Sequence, residues 1–148
     1  MPSQYGGGRS LSEWTDFLQK SEASQARFLL DMATAAWEAQ REPTDIGREV
    51  CAYLKLGYEV LEGNHEKLPH LIRFLEDPDM KHDFGAFYER LQHEETASAA
   101  LDLASYACGF VSRMSAAKSE YGPLPDPVLE AMPEIYEYYQ ERAGFLGV

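Results

Sequence analysis

Positive charge is scarce in this sequence: 13 Lys and Arg stand against 25 Asp and Glu, a formal net charge of -12 over 148 residues. Phosphate backbones are held by clustered Lys and Arg, so the deficit excludes a nucleic-acid ligand and points to a basic partner. The same surplus of carboxylates also confers solubility in its own right. It is not spread evenly, with five acids against four bases up to residue 41, eleven against six over 42–92, and nine against three over 93–148. Cysteine is nearly absent. Cys51 and Cys108 show neither CxxC spacing nor a nearby His, and each sits in an apolar helical pattern, so both read as buried free thiols. No apolar run is long enough to cross a bilayer without charge, which argues against a membrane span. The opening MPSQYGGGRS lacks the charged start and apolar stretch of a secretory signal, which predicts a cytoplasmic protein. Period-two alternation with β-branched residues is missing too, and no internal repeat occurs.

What is present is the ordinary mixture of a globular chain, 45% hydrophobic and 26% charged, at the usual size of one domain. Residues 1–9, with three glycines at Gly6 to Gly8, read as a flexible tail, and 10–148 as a single all-helical domain. Ser10 and Glu13 form a capping box for a short helix carrying Leu11, Trp14, Phe17 and Leu18. A second helix over 22–41 aligns Ala26, Leu29, Leu30, Ala33, Ala36 and Trp37. A third, capped at Thr44 or Asp45, runs to Leu61 with Val50, Leu54, Tyr58 and Leu61 inward, and Gly63-Asn64 ends it. Beyond a short segment at 68–75, Asp77-Pro78 reads as the start of a helix over 79–92 that carries Phe84, Phe87, Tyr88 and Leu91. Residues 94–120 are apolar nearly all round and form the long central helix, in which Asp102 and Arg113 mark internal polar contacts. After the YGPLPDP break at 121–127 a last helical stretch reaches Arg142, with a kink expected at Pro133. The expected architecture is all-α, a compact bundle of about six helices around the central one.

Catalytic patterns fail for stated reasons. His82-Asp83 is the core of a metal-dependent phosphohydrolase signature, with His65 or His70 and Asp102 as further ligands. Those histidines precede the pair by only 17 and 12 residues, near turns. A carboxylate-bridged metal site needs Glu-x-x-His on two helices; Glu62 to His65 matches once, across the Gly63-Asn64 stop, and Glu89 and His93 are four apart. Acidic magnesium sites of pyrophosphatase type are approached by Glu59 with Glu62 and by Glu94-Glu95, but Glu76 and Asp79 straddle Pro78. There is no Gly-x-Ser-x-Gly elbow, and the early glycines precede no strand and no Lys-Ser or Lys-Thr. No cofactor is expected.

The last helix offers a binding pattern instead. Val128, Met132, Ile135, Tyr136 and Tyr139 fall at core spacing and leave Glu130, Glu134, Glu137, Tyr138 and Glu141 on the outer side. Four carboxylates at spacings of three and four repel by roughly a few tenths of a kcal/mol per pair, a tension that a cationic partner relieves. An aromatic among charges is also typical of interface hot spots.

Two stretches, ATAAWEAQ at 33–40 and LASYACGFVSRMSAAKSEYGPLPDPVLEAMPEIYEYYQ at 103–140, carry a resemblance. A Trp in an early helix, a long Ala-rich helix entering a Tyr-Gly-Pro-Leu-Pro turn, and a Glu-rich closing helix resemble the all-α immunity proteins of bacterial polymorphic toxin systems. The resemblance implies a cytoplasmic protein that binds a cognate toxin domain and occludes its active surface. It carries no catalytic residues over. Where the toxin is a nuclease with a basic cleft, an acidic inhibitor imitates the phosphate backbone. The alternatives are the phosphohydrolase built on His82 and Asp83, and a helical adaptor with no toxin. Tyr121, Tyr138 and Phe145, expected to be exposed, could equally serve a homodimer.

Overall fold

One helix is surrounded by the others. The computed structural model describes residues 11–40, 45–116 and 136–148, and the side chains of all of these except 11, 14 and 136–139. Among the described residues there are seven α-helices and no strand: α1 (Leu11–Leu18), α2 (Glu22–Glu38), α3 (Asp45–Leu61), α4 (Leu68–Leu75), α5 (Phe84–Leu91), α6 (Glu95–Ala116) and α7 (Tyr136–Leu146). A short 3₁₀ turn, His65–Lys67, leads into α4. The all-α expectation holds. The central helix is α6, and α2, α3, α4, α5 and α7 all pack on it, while α1 lies against α2. Its expected span of 94–120 is described from Glu95 to Ala116; residues 117–120 lie outside the described part.

Small side chains explain how α6 takes five neighbours. Ala99, Ala100, Ala104, Ala107, Gly109, Ser112, Ser115 and Ala116 are buried on it, alongside Leu101, Leu103, Cys108 and Val111. Interaxial distance is set by the side chains at the contact, so alanine and serine allow several helices to approach at once. The same need appears on α3, where a Cβ added to Gly57 would stand 2.9 Å from Leu30 Cδ2 of α2 and 3.9 Å from Cys108 Sγ of α6. Directional bonds fix the register of these contacts. Trp37 Nε1 donates to the Ala100 carbonyl at 2.9 Å, and the Cys108 thiol donates to the Tyr53 carbonyl at 3.8 Å. Burial of Cys108 pushes its thiol far above its ordinary value. Asp102, one of the polar residues expected inside, pairs with Arg142 of α7 at 3.3 Å, and the Arg113 guanidinium lies 5.2 Å from the Phe110 ring centre.

Helix ends follow local chemistry. The Ser21 hydroxyl accepts from the Ser24 amide to cap α2, a start that the sequence pattern did not single out. The Gly63-Asn64 stop is as expected: Gly63 at φ 111° turns the chain while its amide donates to Val60 O and that of Asn64 donates to Glu59 O. This paired bonding is the Schellman end of a helix. Cys51, by contrast, is exposed and not buried. The capping box at Ser10 and the helix start at 127 lie outside the described residues.

Candidate binding surface

An aromatic cluster joining α3, α4 and α5 determines what α5 shows to solvent. Tyr53 stacks on Phe74 with ring centres 4.6 Å apart, and Phe74 meets Phe87 at 6.2 Å. Phe74 and Phe87 are fully buried. Phe87 and Leu91, one turn apart, form the whole inward stripe of α5. The four apolar residues expected to share one buried face therefore separate, and Phe84 and Tyr88 are 40% and 46% exposed. A spacing of four places these two rings side by side on one flank of the helix. Met80, in the turn leading into α5, is 78% exposed. Among the described residues, three of the four exposed large hydrophobic side chains thus belong to this one segment, the fourth being Leu18 on α1.

The helix expected over 79–92 begins only at Phe84, and the reason is Asp77. Its carboxylate does not cap a helix. It gathers the turn instead, accepting from the amides of Asp79 (3.2 Å), Lys81 (3.1 Å) and His82 (2.8 Å) and from Arg73 Nε (3.1 Å). Burial alone would push this carboxyl up, but the amides of His82, Lys81 and Asp79 and the Arg73 guanidinium outweigh it and hold it down at about 2. Asp83 is the true cap of α5. Its Oδ1 accepts from the Ala86 amide at 2.9 Å and its Oδ2 from the Asp77 amide at 3.2 Å, so the two aspartates lock each other. Two residues of α3 brace the far side: Tyr53 OH donates to the His82 carbonyl at 2.7 Å, and Glu49 Oε1 meets His82 Nδ1 at 2.6 Å. Burial raises the Tyr53 phenol to about 12, so it stays a donor at any physiological pH. Within this brace Met80 adopts φ 53°, a left-handed conformation uncommon for a residue with a side chain.

These contacts also settle where the nominated catalytic residues stand. His82 is engaged by Glu49, Asp83 caps a helix, Asp102 pairs with Arg142, and His65 and His70 are exposed. Among the described residues no three His, Cys, Asp or Glu side chains come together as a group able to hold a metal ion. Of the acidic stripe, Glu130 and Glu134 lie outside the described residues, as do the side chains of Glu137 and Tyr138, and Glu141 is exposed on α7. Phe145, expected to be exposed, is half-buried in a groove of about 470 Å³ that it lines with Ala36, Ala39, Gln40, Thr96, Leu146 and Val148. Tyr121 lies outside the described residues. No described helix is long and apolar enough to cross a membrane.

Compared with known proteins, the chain matches no family model, no curated protein and no solved structure. The resemblance to immunity proteins therefore rests on the sequence pattern. The exposed segment 80–88 had no signal in that pattern, because helical spacing groups Phe84 and Tyr88 with Phe87 and Leu91.

Proposed function

We propose that the chain is an immunity protein, which binds a cognate antibacterial toxin domain and neutralises it by occluding its active surface. The observation that carries this reading is the exposed Met80, Phe84 and Tyr88, on a turn and the helix α5 that follows it, with the turn fixed by Asp77, Asp83, Tyr53 and His82. An apolar surface held on a rigid mount loses little freedom when a partner covers it, which is what a tight inhibitor requires. Large exposed apolar groups on a chain of net charge -12 also favour a specific partner over general stickiness. The all-helical architecture and the resemblance of residues 33–40 and 103–140 agree with the reading.

The test is to express the chain together with a toxin domain encoded beside its gene. Growth should be restored, and the purified pair should show stoichiometric inhibition with loss of free toxin activity. A neighbouring toxin that remains active at excess of this chain, with no complex on a sizing column, would remove the reading.

A further inference from the structure

We infer that the 80–88 segment is a docking surface, and that its partner face is an apolar pocket rimmed by Lys and Arg. The inference rests on the binding reading above and adds the place and the chemistry of contact. Over residues 73–94, the stretch that carries the apolar trio, the exposed carboxylates Glu76, Asp79, Glu89 and Glu94 outnumber the exposed cations Arg73, Lys81 and Arg90, and Arg73 is already engaged by Asp77 and Asp79. A second copy of this chain would bring like charges together at that face, and an anionic surface would be repelled in the same way. A cationic rim complements it. Phe84 and Tyr88 supply large, rigid area, and the tyrosine hydroxyl leaves one polar handle at the edge of the pocket. Met80 adds an adaptable side chain that fills an irregular gap.

The experiment uses the full chain and three synthetic helical peptides: one with a Leu/Phe face bordered by Lys and Arg, a twin with those cations replaced by Glu, and a twin whose apolar face is Ser. The basic amphipathic peptide should bind and shift amide resonances over 79–92. Tyr88→Ser and Phe84→Ser, each checked for intact helix content, should weaken it at least about tenfold, as interface anchors do. Glu89→Lys and added salt should weaken it severalfold. The inference is overturned if the Glu or Ser twin binds equally well, if shifts centre on α7, if no peptide binds, or if the chain sediments as a dimer that Tyr88→Ser dissociates. Neutralisation of a toxin unimpaired by Tyr88→Ser would sink the inference and leave the immunity reading standing. Binding at 79–92 with no toxin neutralised would do the reverse.

Discussion

Helix α6 is apolar nearly all round and enclosed, whereas α5 buries a stripe of two residues and keeps two of its three aromatic rings partly in water. The difference lies in the number of neighbours. Five helices pack on α6, so almost every position from Ala99 to Ala116 finds a partner, and small residues predominate there. In α5 two inward positions, Phe87 and Leu91, are buried as the helix packs against α4 and α6, while Phe84 and Tyr88 stay 40% and 46% exposed. Periodicity thus marks a face that is able to be buried, while the count of surrounding elements decides how wide a stripe is buried. On α6 hydrophobicity makes the core; on α5 the residues three before and one after a core phenylalanine are left available for recognition.

The largest expected effect comes from truncating the buried ring of α5. Phe87→Ala should cost about 3–5 kcal/mol in urea unfolding, since a fully buried ring leaves a cavity among Phe74 and its neighbours. Next stands the turn. Because Asp77 is held down at about 2, its carboxylate stabilises the fold fully above the ordinary value near 4 and progressively less as pH falls toward 2. Asp77→Asn should lower the urea midpoint at neutral pH and flatten the loss between pH ~4 and ~2; an unchanged acid profile would show that the turn does not depend on this group. Smaller again, Trp37→Phe should cost about 1 kcal/mol, the worth of one hydrogen bond to the Ala100 carbonyl that ties α2 to the central helix. Calorimetry on that variant would sharpen the picture of α6 as the element on which the others are registered.

Much of this was legible in the sequence, for physical reasons that can be named. The central helix follows from apolar residues on all its sides, and the end of α3 from Gly63-Asn64, because both signals are local. The two aspartates defeat local reading. Asp77 before Pro78 has the form of a helix cap, yet its bonding partners include Arg73 on the preceding helix, and the bracing Tyr53 and Glu49 lie 24 and 28 residues earlier, where no spacing rule connects them. The exposure of Cys51 escaped for a related reason, since an apolar pattern around a residue does not say which neighbour it will meet. Its thiol is nonetheless raised, by partial burial and then by the charge of Glu38, an effect of α2 on α3 that exists only in the folded chain.

The smallest expected effect is the one that tests the contrast between the helices most directly. Tyr88→Ser and Phe84→Ser should each lower unfolding free energy by no more than about 1 kcal/mol, well below Phe87→Ala, because nearly half of each ring's surface already lies in water, with an unchanged denaturant slope. Serine, tyrosine and phenylalanine have similar helix propensities, so any loss reports the covered part of each ring. A loss approaching that of Phe87→Ala would mean that these rings are core after all and that α5 differs from α6 only in length. Stability largely retained while partner binding is lost assigns the two rings to recognition, because a side chain that contributes little to folding and much to binding has its main energetic role outside its own molecule.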